Sequence, residues 1–202
     1  MEKIWLKEYP QGVPAEIDLD EFSSLKDILE KSCQRFADLP AYSNLGMTLR
    51  YREIDRLSRD FAAFLQGLGL GKGDRVAIMM PNILLFPVAV FGLLRAGLVV
   101  VNVNPLYTPR ELEHQLSDAG ATVIVIVENF AHTLQQALVK TPVKTVVMTQ
   151  LGDMLPLPKR LLVNFAVKYL KKLVPAWRIP SVVSFRQALR IGAERAFADV
   201  SL

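Results

Sequence analysis

The stretch Lys72 to Leu112, KGDRVAIMMPNILLFPVAVFGLLRAGLVVVNVNPLYTPREL, admits few folds. Val76 to Met80 is an unbroken apolar run between turn signals, as in a strand covered on both faces. Pro81 and Asn82 stop it, and Asn82 is a competent cap for the next helix. From Ile83 to Ala96 the residues are apolar nearly all round, which predicts a helix with no solvent face. Gly97 supplies a left-handed exit. The β-branched run Val99-Val100-Val101 then marks a second strand over Leu98 to Val103. Two parallel strands joined by a buried helix make a right-handed βαβ unit.

The pattern continues downstream. Asn104 to Tyr107 form a loop at the carboxyl end of a strand, the edge where open parallel sheets bind ligands. Thr108, Pro109 and Glu111 then start a helix with a capping box, Leu112 and Leu116 mark its inner face, and Gly120 ends it. Thr122 to Val127 reads as a third strand, Asn129 as the cap of a helix running to Val139, and Lys144 to Thr149 as a fourth strand. The alternation over Asp74 to Thr149 predicts an α/β fold: a doubly wound, mainly parallel sheet with helices on both faces.

Residues 1–20 read as an irregular arm, broken by Pro10, Gly12 and Pro14 and anchored by Trp5 and Tyr9. Ser23 or Ser24 caps a helix carrying Leu25, Ile28, Leu29 and Phe36, with Cys33 near that face as a small hydrophobe. Thr48 to Tyr51 is a short strand. The helix after it buries Ile54, Leu57, Phe61, Phe64, Leu65 and Leu68, and turns Arg52, Asp55, Arg56, Arg59 and Asp60 to water. The organisation expected is an arm over 1–20, an α/β subdomain over 21–150 and a basic helical segment over 151–202.

A chain of 202 residues suffices for one such domain with a core. The single cysteine, Cys33, excludes an internal disulfide and points to a reducing compartment. The N-terminus lacks a signal-peptide core, so export is not expected and a cytoplasmic location is. Ile83 to Val103 is long enough to span a bilayer, but Pro87, Arg95, Asn102 and two glycines interrupt it.

The net charge of +4 is unevenly spread. Between Met154 and Ala193 lie eight basic residues and no acidic one, so the rest of the chain is net negative. Within that stretch Lys159 to Val174, closed by Pro175, predicts a helix with Leu162, Phe165, Ala166, Tyr169 and Leu173 in one stripe. Two readings stay open. In the first the helix lies in a membrane interface, with Lys159, Arg160, Phe165, Lys168, Tyr169, Lys171 and Lys172 as contacts. In the second it is a lysine-rich surface helix packed on its own domain. No recognition motif accompanies the charge, so nucleic acid is not expected as a partner.

Catalytic signals are few. Neither GxxxxGK[ST] nor a GxGxxG after a strand is present, and the glycines of Gly67 to Gly73 precede a strand where a phosphate cradle would open a helix. His114 and His132 have no cysteine partners, which argues against a metal site. No serine stands in a nucleophile-elbow context. No catalytic, cofactor-binding or metal-ligating residue is assigned.

The runs GKGDRVAIMMPN (Gly71 to Asn82), LRAG (Leu94 to Gly97) and NVNPLYTPREL (Asn102 to Leu112) resemble the N-terminal region of the adenylate-forming acyl-CoA synthetases. The opening WLKEYPQGVPAEI, the segment NFAHTL and the stretch VNFAVKYLKKLVP resemble the bacterial long-chain fatty-acid–CoA ligases within that superfamily. The similarity runs from Trp5 to Arg190. It implies the N-terminal subdomain of the large lobe, and a phosphate loop and catalytic residues beyond Leu202. The chain is therefore expected to be an N-terminal fragment, inactive alone and binding no cofactor itself.

For the intact enzyme the resemblance implies ATP, Mg²⁺ and coenzyme A as cofactors and a long-chain fatty acid as substrate. The carboxylate attacks the α-phosphate of ATP, giving an acyl-adenylate and pyrophosphate; the thiol of coenzyme A then displaces AMP. Asn104 and Tyr107 are candidate neighbours of the acyl channel. The resemblance also favours peripheral attachment to an anionic membrane, at the inner face of the cell membrane. Uncovered apolar surface on a truncated chain is expected to drive dimerisation, giving a homodimer, or aggregation. The alternative is a non-catalytic lipid- or protein-binding α/β module at the membrane surface.

Overall fold

The computed structural model describes residues 3–202. Its elements are α1 (Leu25–Arg35), β1 (Pro40–Asn44), β2 (Met47–Arg50), α2 (Tyr51–Gln66), β3 (Arg75–Met79), α3 (Leu85–Arg95), β4 (Val99–Asn102), α4 (Pro109–Ala119), β5 (Val123–Val127), α5 (Ala131–Ala137), β6 (Thr145–Thr149), α6 (Leu157–Phe165), β7 (Val182–Ser184) and α7 (Phe185–Ala193). Strands β3 to β7 form one parallel sheet in the spatial order β4-β3-β5-β6-β7. The chain moves from β3 to one side and then crosses to the other, so the topological switch lies between β3 and β5.

Side chains alternate across the sheet and supply two cores. On one face Val76, Ile78, Val123, Val125 and Val147 pack with α1, α2, α3 and α7. On the other Ala77, Met79, Ile124, Ile126 and Met148 pack with Leu112 and Leu116 of α4 and with Ala131, Leu134 and Ala137 of α5. The doubly wound sheet with helices on both faces is thus what the chain forms. No residue of α3 is exposed, as its apolar composition predicts. No helix among the described residues is long and apolar enough to cross a membrane.

Several local expectations are corrected. Asn82 does not cap α3: it lies in an exposed bend, and the helix begins at Leu85 after an Leu84 cap position without a side-chain bond. Asn129 does not cap α5 either, because Glu128–Phe130 form a separate 3-10 turn. Trp5 and Tyr9 do not anchor the arm; both are more than two-fifths exposed on a 3-10 turn that buries nothing. In α1 the buried face is Lys26, Leu29 and Cys33, while Leu25 and Ile28 are exposed. Asp199 and the Val200 carbonyl both accept from the Lys26 Nζ there.

Three features of the chain were not anticipated. Strands β1 and β2 pair as an antiparallel hairpin around Leu45 (φ 49°) and Gly46 (φ 71°), both left-handed. Strand β7 extends the sheet and leads into α7, whose first turn Ser184 caps by accepting from the Gln187 N–H. Asp55 is not simply a solvent-facing charge: its side chain is still partly exposed, but its Oδ1 accepts from Arg95 at 2.6 Å, and Glu30 accepts from the same fully buried guanidinium at 3.0 Å. Asp60 is half-buried as well, and burial pushes its carboxyl up, against the pull of Arg56.

By contrast the start of α4 is as expected. Thr108 accepts from the Glu111 N–H, the Glu111 carboxylate accepts from the Thr108 N–H, Pro109 takes the first turn, and Gly120 leaves with φ 61°.

Candidate functional site

The carboxyl ends of β5 and β6, with α6 and the segment that follows it, carry an extended polar network. Its centre is Glu128, directly after β5 and 5% exposed. Glu128 Oε1 accepts from Lys168 Nζ at 2.8 Å and from Trp177 Nε1 at 3.3 Å, and Oε2 accepts from Gln150 Nε2 at 2.5 Å. Asn164 of α6 donates to Gln150 Oε1 and accepts from the Gly152 N–H, each at 2.8 Å. Asp153 Oδ2 accepts from the Thr149 hydroxyl and the Gln150 N–H.

Burial pushes the Glu128 carboxyl up, but the hydrogen bonds and charge of Lys168, with Gln150 and Trp177, outweigh it and hold the group below the usual range. Lys168 is correspondingly raised, chiefly by its bond to Glu128. Charge and hydrogen bonding here are matched, which is what a buried carboxylate requires.

Lys168 reaches Glu128 because the helix changes pitch. The expected helix over Lys159 to Val174 is instead α6 followed by a π-helical turn at Ala166–Leu170, closed by Lys172 at φ 52° well before Pro175. In that turn the Lys171 N–H donates to the Ala166 carbonyl. The apolar stripe does not pack inward: Leu162, Phe165, Tyr169 and Leu173 are each more than half exposed, and α6 buries no residue. Phe165 and Tyr169 lie against each other, ring centres 5.1 Å apart.

Two adjoining grooves flank the network. One, of about 390 Å³, is lined by Glu128, Thr149, Gln150, Trp177, Ser184 and Arg186. The other, of about 480 Å³, lies along α6 between Arg160, Leu161, Phe165, Tyr169 and Arg186.

The residues singled out in the sequence fall into separate places. Asn104 is exposed, and its Oδ1 accepts from the Leu106 N–H at 3.0 Å, closing the loop after β4. Tyr107 packs on the core beneath α4 and lines a groove of about 260 Å³ with Glu111, His114, Gln115 and Asp118. That groove shares no lining residue with those over β5 to β7. Of the basic candidates, Lys171 and Lys172 are exposed, Arg160 is half-buried, and Lys159 donates to the Leu45 carbonyl of the hairpin.

Glu128, Gln150 and Trp177 carry the network, and sequence reasoning passed over them. The available signal was an acidic residue immediately after the buried run Val123 to Val127. Cys33 behaves as expected: it is buried, and burial pushes its thiol up to about 11. Among the described residues no group of three or more His, Cys, Asp or Glu side chains is arranged to hold a metal ion.

Known proteins share both the sequence and the fold. The model of the AMP-binding enzyme family matches residues 29–181. A long-chain-fatty-acid–CoA ligase of Yersinia pestis is 59% identical over 95% of this chain and 34% of its own length. One from Escherichia coli O157:H7 is 58% identical over the whole of this chain and 36% of its own length. The chain therefore spans about a third of the length of the curated relatives it matches. Among solved structures, a long-chain-fatty-acid-CoA ligase from Archaeoglobus fulgidus superposes with a TM-score of 0.67 at 22% identity, covering 89% of this chain and 32% of that one. A family match across most of the chain and the same doubly wound sheet in a solved relative lead to one conclusion: the chain belongs to the AMP-binding enzyme family.

Proposed function

We propose that this chain is the N-terminal portion of a long-chain fatty-acid–CoA ligase, which activates fatty acids with ATP and passes the acyl group to coenzyme A. The observation that carries the reading is identity of 59% and 58%, across 95% and 100% of the chain, to two proteins named for that activity. The alternative of a non-catalytic module finds no support in these relatives.

Within the enzyme this chain supplies a wall of the large lobe. No group of three or more His, Cys, Asp or Glu side chains is gathered among the described residues. Nor does a glycine-rich loop open a helix after a strand in this sequence. Both observations, with the chain spanning about a third of its relatives, support a reading in which the activation chemistry is carried by other parts of the enzyme. The loop at the carboxyl end of β4 places Asn104 and Tyr107 at the edge where parallel sheets bind ligands, which supports their approach to the acyl channel. The exposed stripe of α6, flanked by Lys171 and Lys172, supports peripheral contact with an anionic membrane surface.

The test is the intact mass of the protein expressed from its full gene, followed by ATP–pyrophosphate exchange with palmitate. A protein much heavier than 22.6 kDa with palmitate-dependent exchange is expected. A protein of that mass showing no exchange overturns the reading.

A further inference from the structure

Two guanidinium groups face one groove with nothing to pair them. Arg160 of α6 and Arg186 in the first turn of α7 both line the groove of about 480 Å³, and neither makes an ion pair or a side-chain hydrogen bond among the described residues. Lys168 beside them is different, because Glu128 already accepts from it. Asp153 also reaches this groove, but its Oδ2 is taken up by the Thr149 hydroxyl and the Gln150 N–H.

The other side of the groove is apolar. Leu161, Phe165 and Tyr169 line it, and each is more than half exposed. Along the helix these residues cover roughly 12 Å, the rise of two turns and a little more. A free aromatic pair beside two free cations is an arrangement that water solvates poorly at one end and well at the other. The surrounding segment has no acidic residue from Met154 to Ala193, so its field favours an anion.

The chemistry narrows the ligand. A polyphosphate needs convergent backbone N–H groups, and no glycine-rich loop opens a helix after a strand in this sequence. A planar carboxylate needs only the fork of a guanidinium, and a single alkyl chain needs only a linear apolar wall. The groove's size falls within the range of small-molecule sites. We propose that this groove binds a long-chain fatty-acid anion, its carboxylate held by Arg160 and Arg186 and its chain laid along Leu161, Phe165 and Tyr169. The choice of a fatty acid among anionic amphiphiles rests on the ligase reading. The groove is a holding site ahead of activation: Lys168 and Asp153, which also line it, are already engaged by Glu128 and by Thr149 with Gln150, and no bond is made or broken there.

Titration of ¹³C-carboxyl palmitate into the full chain, below the concentration at which palmitate forms micelles, tests this directly. A bound carboxyl resonance that saturates at one palmitate per chain is expected. The double variant Arg160→Gln, Arg186→Gln weakens binding about tenfold or more, as loss of charge-assisted hydrogen bonds should. Lys171→Gln with Lys172→Gln removes the same charge outside the groove and leaves affinity within about twofold, because exposed charges are screened. Phe165→Ser with Tyr169→Ser lowers affinity without moving the chemical shift of the residual bound carboxylate. Absence of a bound resonance overturns the proposal, as does equal weakening by the two charge variants. Displacement of palmitate by hexadecanol at equal concentration also overturns it, since the carboxylate would then contribute nothing. These results are independent of the exchange assay: an intact protein without exchange removes the ligase reading and leaves palmitate binding standing, whereas exchange without a bound resonance does the reverse.

Discussion

Glu128 carries a charge in a place that is 5% exposed, and it does so because Lys168 reaches it through a change of helical pitch. The signs of the two shifts set the pH range of the pair's contribution. Glu128 is depressed below its ordinary 4.5, so its contribution is present above that value and lost as pH falls through the lower folded value. Lys168 is raised above 10.5, so its contribution is present below that value and lost as pH rises through the higher one. Lys168→Met leaves the carboxylate buried without a countercharge. It is expected to cost about 2 kcal/mol at neutral pH and to shift the acid limb of the stability profile to higher pH. Urea unfolding across that range checks both; an unchanged acid limb would show that Lys168 does not hold the carboxylate. Arg95 poses the converse problem, because its guanidinium is fully buried while Glu30 and Asp55 are about 30% exposed. Removing the cation leaves two carboxylates that water can still reach, whereas removing both carboxylates strands a buried charge. Glu30→Gln with Asp55→Asn should therefore destabilise more than Arg95→Met, by up to about 3–5 kcal/mol. The reverse order in denaturant midpoints would contradict this account.

At the scale of elements, α7 lies so close to α2 that a Cβ at Gly192 would stand 1.7 Å from the Asp60 carbonyl oxygen. Backbone cannot swing aside as a side chain can, so Gly192→Ala must push the helices apart. A loss of about 3 kcal/mol is expected, read by thermal or urea unfolding; a variant as stable as the parent would refute the close approach. Ser184 with Gln187 three residues on was a capping signal for α7, but nothing in the sequence showed that Gly192 lies against α2. What was visible obeyed local rules. The β3-α3-β4 unit declared itself through unbroken apolar runs, and α4 through Thr108, Pro109 and Glu111. Features set by distant partners stayed hidden. The hairpin turns on a left-handed Leu45, a residue that sequence rules do not associate with such a turn, and the three residues of β7 become a strand only because β6 offers an edge. The candidate site was the least legible part. Glu128, Gln150, Lys168 and Trp177 come from four separate segments, and nothing local to any of them specifies the others.

For the whole molecule, the decisive asymmetry lies between its two sides. The carboxyl edge of β5 to β7 and the adjacent α6 gather the positive charge, the exposed aromatic pair and both larger grooves, while the rest of the chain is net negative. A molecule built this way should approach an anionic bilayer with α6 foremost. Lys171 and Lys172 are exposed and make no ion pair among the described residues, and on the proposed membrane contact each should contribute about 1 kcal/mol. Lys168 contributes less, being engaged with Glu128. Lys171→Glu with Lys172→Glu should thus abolish most co-sedimentation with phosphatidylserine-containing vesicles, and raised salt should do the same to the parent chain. Lys168→Glu is the wrong variant for this purpose, since it sets two carboxylates together and perturbs the fold. The apolar stripe sets the second half of the argument. Leu162→Ser with Leu170→Ser removes exposed apolar area while keeping every charge, and it should weaken binding to neutral and anionic vesicles alike. Gel filtration without lipid separates this behaviour from self-association through the same face, which the serine variant would reverse and the glutamate variant would not. Vesicle binding insensitive to both variants would place the contact elsewhere on the molecule and remove α6 from the interface.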